Sequence, residues 1–172
     1  MSSSIPESRP SSSENVTAAV VTVSDSCARG QRVDLSGPAV AAVLEKCGFR
    51  VVSREVISDD QIKIQNLLLR LAAGVRLVVT TGGTGIAARD VTPEATRAVC
   101  DRLLEGVAER MRLEGAKKTP FAALSRGICG TRGQSLVLNL PGNPKGAVDS
   151  LQAVLDLIPH TLNLLQGNTE HA

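Results

Sequence analysis

The feature that most constrains this chain is a recurring order of segments. A short run of β-branched and aliphatic residues comes first, then a cluster of small polar residues, then a stretch with apolar side chains three and four apart. The apolar runs fall at residues 16–23, 49–57, 76–80 and 135–140. Val40, Val43, Leu44 and Cys47 mark the first amphipathic stretch, stopped by Gly48. Ile64, Leu67, Leu68 and Leu71 mark the second, capped by Asp59 or Asp60 and ended by Gly74. A third begins with Thr92 as cap and Pro93 in the first turn, with Val99, Cys100 and Leu103 on its face. A fourth spans about residues 107–114. The last repeats at Val148, Leu151, Leu155, Ile158, Leu162 and Leu165, divided by Pro159. Strands alternating with helices form βαβ units, and strands apolar on both sides need helices on both faces. The expected fold is a three-layer α/β/α sandwich with a mainly parallel sheet.

Length and composition restrict the options further. A chain of 172 residues has room for one core. Seven serines among the first thirteen positions leave residues 1–15 little to bury, so they read as a disordered tail before a single domain over 16–172. With no Trp or Tyr, and only Phe49 and Phe121, the core must be aliphatic and there is no platform for stacking bases. Nineteen basic against seventeen acidic side chains leave a net charge of +2, which does not suit a nucleic-acid binder. Cys27, Cys47, Cys100 and Cys129 form no CxxC pair. Cys47 and Cys100 read as small apolar residues on helix faces, without disulfide or zinc. Nothing reaches transmembrane length and no export signal is recognisable, so no membrane partner and a cytoplasmic location are expected.

In open α/β sheets ligands bind beyond the carboxyl ends of the strands. Four clusters lie at such ends: Ser24-Asp25, Ser58-Asp59-Asp60, Thr80 to Gly85, and Leu140 to Pro144. The Gly-rich cluster offers unobstructed N–H groups to a phosphate, although a tight turn needs the same residues. It is neither a Walker A loop nor GxGxxG. Asp90 fits either a ligand role or a helix-dipole role before Thr92-Pro93. Asp59 fits a helix cap as well as a site carboxylate, and Pro141-Gly142-Asn143 fits a helix-opening turn as well as a close approach to a ligand. Ser125-Arg126 fits an anion site or plain surface. His160 and His171 are the only histidines, so carboxylates would favour Mg²⁺, which works with phosphates. Gly82, Asp90, Asp59 and Gly142 are expected to meet on one rim of the sheet.

Thr80-Thr81-Gly82-Gly83-Thr84-Gly85 followed by Arg89-Asp90-Val91-Thr92-Pro93-Glu94-Ala95 resembles the signature of the MogA/MoaB molybdenum-cofactor biosynthesis family. Asp34-x-Ser36-Gly37-Pro38, Pro120-Phe121 with Ser125-Arg126, and Leu140 to Pro144 extend the resemblance over about residues 16–167. Where the family carries Pro-Asp-Glu, this chain has Ser58-Asp59-Asp60.

The resemblance implies a homotrimer that adenylylates molybdopterin with ATP and Mg²⁺ and releases pyrophosphate. It implies Asp59 and Asp90 as catalytic carboxylates, with Asp90 on the metal. Thr81, Gly82, Gly83, Thr84, Gly85, Ser125, Pro141, Gly142 and Asn143 then bind substrate, with Ser24, Asp25, Asp34, Ser36 and Arg126 as further candidates. The competing readings are a pterin-binding protein without catalysis, a different enzyme on a related fold such as a nucleotide hydrolase or amidohydrolase, and a purely structural protein, which would not explain four polar strand-end loops.

Overall fold

A computed structural model describes residues 15–169. In chain order the elements are β1 (Thr17–Val23), α1 (Asp25–Ala28), α2 (Ser36–Lys46), β2 (Arg50–Ile57), α3 (Gln61–Ala72) and β3 (Leu77–Thr81). There follow α4 (Thr92–Val99), β4 (Arg102–Leu103), α5 (Glu105–Ala116) and a 3₁₀ turn over Pro120–Leu124. The chain continues through β5 (Cys129–Arg132), β6 (Ser135–Leu140), α6 (Pro144–Val154) and α7 (Ile158–Leu165). The expected tail lies almost wholly outside the described residues.

The six strands form one sheet in the order β2-β1-β3-β6-β5-β4. The first four are parallel, whereas β5 and β4 are antiparallel additions at one edge. Alternation along each strand separates two cores. Ala18 and Val20 of β1, Leu77 and Val79 of β3, and Leu136, Leu138 and Leu140 of β6 point to one face. There they pack on α2, α5, α6 and α7 through Val40, Leu44, Met111, Leu151 and Ile158. Ala19, Val21, Val78 and Val137 face the other way, onto Ile64, Leu68 and Leu71 of α3 and Ala95 and Val99 of α4. This is the expected three-layer sandwich.

Differences from the sequence reading have local causes. The edge strands β4 and β5 escaped it because they are short and hold little apolar pattern; a tight turn with Gly133 at φ 55° joins β5 to β6. α4 ends at Val99, so Cys100 is its cap and Leu103 belongs to β4. Thr92 is not the cap of α4: Val91 holds that place, and the Thr92 hydroxyl donates to the Gly82 carbonyl at 3.0 Å. Cys47 caps α2 and is exposed, whereas Cys129 is the buried cysteine. Asp60, not Asp59, caps α3 by accepting from Lys63 N at 2.9 Å. Asp59 is thereby left for other work. The break expected at Pro159 is present, since α7 begins at Ile158 with proline in its first turn.

One buried polar set fixes the strand ends beneath the site. The Asn139 amide donates to Thr80 Oγ1 at 3.0 Å and to Thr96 Oγ1 at 2.9 Å, and its oxygen accepts from Ile128 N at 3.2 Å. All three side-chain groups are buried and satisfied, so the set ties β3, β6 and α4 together in one register.

Candidate functional site

β1 leads through α2 to β2 on one side and lies beside β3 on the other, so the connections diverge between β1 and β3. A crevice forms at such a switch point, outside the carboxyl ends of the strands. The loop after β3 crosses it. Gly82 has φ 93° and Gly83 φ 66°, a conformation that side chains disfavour. Space demands glycine as well. A methyl at Gly82 would overlap the Val23 carbonyl oxygen, and one at Gly142 would come within 3.2 Å of Gly82 Cα. The ends of β1, β3 and β6 therefore approach one another through two glycines.

Four successive carbonyls of this loop are held from behind. Gly82 O accepts from Thr92 Oγ1 at 3.0 Å and Gly83 O from Thr92 N at 3.1 Å. Thr84 O accepts from Arg126 N at 2.8 Å and Gly85 O from Arg126 Nε at 2.7 Å. In a trans peptide each carbonyl is opposed by the next residue's N–H. The N–H groups of Gly83, Thr84, Gly85 and Ile86 thus point away from those partners, and none donates to a protein acceptor among the described residues. Consecutive free amides of this kind attract anions.

They open on a cavity of about 770 Å³. Its second wall is Pro141-Gly142-Asn143 and the first turn of α6, where Asn143 caps the helix by accepting from Gly146 N at 3.0 Å. The positive end of that helix dipole faces the same space. Lys145 stands in that turn with no carboxylate in ion-pair reach among the described residues. Across the cavity Lys118 pairs with Asp149 at 2.9 Å, and Phe121, Leu124 and Ile86 form an exposed apolar lip.

Three carboxylates gather near the loop. Asp25 and Asp59 clasp one another: Asp25 N donates to Asp59 Oδ2 at 2.9 Å, and Asp59 N donates to Asp25 Oδ1 at 3.0 Å. Arg89 closes on Asp25 with both Nε and Nη2 at 2.8 Å. The Asp59 amide, then Arg89, hold the Asp25 carboxyl below its ordinary range. Asp59 is pushed the other way, chiefly by desolvation and further by the charges of Asp25 and Asp90. Its Oδ1 would stand 3.1 Å from a methyl on Gly83, and Asp90 Oδ2 would stand 2.8 Å from one on Gly85. Asp90 Oδ2 also accepts from Ala87 N at 2.9 Å, which tightens the turn before α4. Asp59 thus lies by Gly83 and Asp90 by Gly85, and carboxylate oxygens are the donors a hard cation prefers. Among the described residues no group of three or more His, Cys, Asp or Glu side chains forms a closed cage. One or two carboxylates completed by phosphate oxygens is the arrangement Mg²⁺ takes.

Of the residues singled out in the sequence, Gly83, Thr84, Gly85, Asp90, Ser125, Pro141, Gly142 and Asn143 line the cavity. Gly82 lies beneath its floor and Asp59 behind the loop, both off its wall. Thr81, Asp34 and Ser36 do not reach it. Thr81 is buried with its hydroxyl 2.7 Å from Ser36 Oγ, and Asp34 accepts from Thr22 Oγ1 at 2.7 Å and Gly37 N at 3.0 Å. These groups lock the start of α2 to the ends of β1 and β3. Ser24 caps α1, and Asp25 is occupied by Asp59 and Arg89. Lys118, Lys145 and Arg112 also line the cavity and were not singled out. Lys145 had a signal, the Asn-Pro helix start just before it; Lys118 and Arg112 had none.

A switch-point crevice with a glycine amide cradle, a facing helix N-terminus and flanking carboxylates defines an α/β domain built for a phosphorylated ligand. Residues 19–160 match the family described as "Probable molybdopterin binding domain", and the chain belongs to it. It is 41% identical over 153 residues to the molybdopterin adenylyltransferase of Helicobacter pylori strain J99, covering 87% of each chain. Among solved structures it resembles the molybdopterin biosynthesis enzyme MoaB of Thermus thermophilus, with TM-score 0.82 and 48% identity over 88% of this chain and 97% of that one. It also resembles the molybdopterin biosynthesis Mog protein of Mycobacterium ulcerans, with TM-score 0.84 and 38% identity over 90% of this chain and 99% of that one. Among the described residues no helix is long and apolar enough to cross a membrane.

Proposed function

We propose that this protein is a molybdopterin adenylyltransferase. In this reaction an oxygen of the molybdopterin phosphate forms a bond to the α-phosphorus of ATP, and the bond from that phosphorus to the β-phosphate bridging oxygen breaks. Adenylyl-molybdopterin forms and pyrophosphate leaves. The observation that carries the reading is the row of free amides from Gly83 to Ile86, facing a cavity closed on its other side by the start of α6. Bringing two polyanions together is mainly a matter of position and charge, with little need for a protein nucleophile.

Residue roles belong to the same proposal. Gly83, Thr84 and Gly85 hold phosphate oxygens through backbone N–H groups, and Gly142 and Asn143 bring the α6 N-terminus to the second anion. Lys145 supplies a cation with no carboxylate in ion-pair reach among the described residues, and Ser125 a hydroxyl at the far wall. Asp90, on the cavity wall, would hold Mg²⁺, which when bound would neutralise charge on the transferring and leaving phosphates, and Asp59 would serve as the second carboxylate from behind the loop. The H. pylori relative's name supports this reading. A homotrimer belongs to the same proposal and rests on the family resemblance; light scattering of the purified protein tests it, and a monomer at micromolar concentration counts against it. A cytoplasmic location agrees with four free cysteines.

The direct test incubates the pure protein with molybdopterin, ATP and Mg²⁺. The expected result is adenylylated pterin with stoichiometric pyrophosphate. Pterin binding without ATP-dependent pyrophosphate release would make the protein a binder and not an enzyme.

A further inference from the structure

We infer that Arg126 is a positioning residue that aims the amide cradle, and that it is not itself a ligand of the substrate phosphates. The inference rests on the proposed function, because it assigns the cradle to phosphate.

An arginine beside a Gly-rich anion loop invites assignment as a phosphate ligand, and its guanidinium has five N–H groups to offer. Here four of the five already have protein partners. Nε donates to Gly85 O at 2.7 Å and Nη2 to Asp90 O at 2.7 Å, while Nη1 and Nη2 both meet the Glu94 carboxylate. The Arg126 backbone N–H holds Thr84 O at 2.8 Å. Ser125 lines the main cavity, whereas Arg126 does not.

What the residue grips explains what it does. Thr84 O and Gly85 O belong to the peptides whose N–H groups are those of Gly85 and Ile86. Pulling these carbonyls back fixes half of the cradle amides in the outward direction. Asp90 O is the third grip, so the same guanidinium sets both ends of the segment that carries the Asp90 carboxylate. Glu94, on the first turn of α4, holds the planar group in place from the far side. Arg112 of α5 braces the base of the device by donating to Gly127 O at 3.0 Å. One planar side chain thus relates the cradle, the acidic loop and α4. A lysine cannot do the same, because an ammonium is a point charge without the fork that spans Gly85 O, Asp90 O and Glu94 at once.

The two roles predict opposite signs for Glu94→Gln. A phosphate ligand neutralised by Glu94 would be released by that change, and ATP would bind more tightly. A positioning arginine would lose its brace, and ATP would bind more weakly. The experiment therefore measures ATP and pyrophosphate affinity by calorimetry, steady-state kinetics, and amide hydrogen exchange over residues 84–91, for wild type, Arg126→Lys, Arg126→Ala and Glu94→Gln. Positioning predicts faster exchange over residues 84–91 in Arg126→Lys, and kcat/KM lower by ~10²-fold, the scale of a catalytic geometry displaced by about 1 Å. It predicts weaker ATP binding in Glu94→Gln and partial restoration of Arg126→Ala activity by added guanidinium. If Arg126→Ala fails to fold, the lysine and glutamine variants still decide the matter. Unchanged exchange and kinetics in Arg126→Lys, or tighter ATP binding in Glu94→Gln, overturns the inference and leaves the proposed function standing. A wild-type protein that binds neither ATP nor pyrophosphate overturns both.

Discussion

Replacing Gly82 by alanine tests the claim that three strand ends meet through this residue, and Gly48 is an internal control. The two glycines have nearly the same backbone, φ 93° and φ 90°. An added methyl at Gly48 meets nothing within 4 Å, whereas at Gly82 it overlaps the Val23 carbonyl oxygen. Gly48→Ala should therefore cost only the conformational penalty of a left-handed alanine, about 1–2 kcal/mol. Gly82→Ala has the same penalty plus overpacking against the backbone of β1, a further ~1–3 kcal/mol. The Val23 oxygen cannot swing aside as a side chain would, because its strand is paired on both sides. For a domain of this size 1 kcal/mol corresponds to roughly 2–4 °C in Tm. The difference between the variants should then be ~4–8 °C for an overlap costing about 2 kcal/mol. Urea titration and thermal melts of both variants supply the measurement. Gly82→Ala melting no lower than Gly48→Ala would show that the strand ends do not meet as described.

Asp90→Asn keeps a hydrogen-bond acceptor near Ala87 N and removes the charge. If Asp90 holds the metal, turnover falls at least ~10²-fold with near-normal melting and pterin affinity; product at a nearly normal rate removes it from the chemistry. Burial pushes the Cys100 thiol up to about 11 and the Cys129 thiol up to about 12. Because the thiolate is the nucleophile, alkylation at about pH 8 should label exposed Cys47 first and reach Cys129 only on unfolding. Fast labelling of Cys129 in the native protein would contradict its burial. Hydrogen bonds from Arg70 and Arg126 hold Glu55 and Glu94 below their ordinary value of 4.5. Their contribution to stability is present above that value and lost as pH falls through the lowered folded values. A double Glu55→Gln, Glu94→Gln variant should lose stability less steeply in acid, as read by urea midpoints. Asp59 has the opposite sign, since its pKa is raised from 3.8 by desolvation: its contribution is complete below that value and fades as pH rises through the raised one.

The two gripped glycines show why part of the site was legible and part was not. Gly82 and Gly83 stood out because few residues tolerate a positive φ, and Asn143 because Asn-Pro opens helices. Asp59 was ambiguous in sequence because Asp60 beside it can cap the same helix. Only the observed bond from Lys63 N to Asp60 decides between them. Thr81, Asp34 and Ser36 carry the right chemistry for a ligand, but the fold turns their groups on one another. The edge strands β4 and β5 lacked periodicity, since a strand of 2 residues and one of 4 residues are too short to show alternation.

By itself the sequence determined the elements whose signal is local: four apolar strands, the amphipathic helices between them, and turns of small polar residues and glycine at their carboxyl ends. Period and turn chemistry act over a few neighbouring residues, so they can be read along the chain. The tertiary structure alone decided which face each helix covers, that β6 lies beside β3, and that Lys118 shares a cavity with Gly83. It also decided that Arg126, 41 residues beyond Gly85, would grip that glycine's carbonyl. Those relations join residues far apart in sequence, and the energy that selects them exists only once the layers have packed.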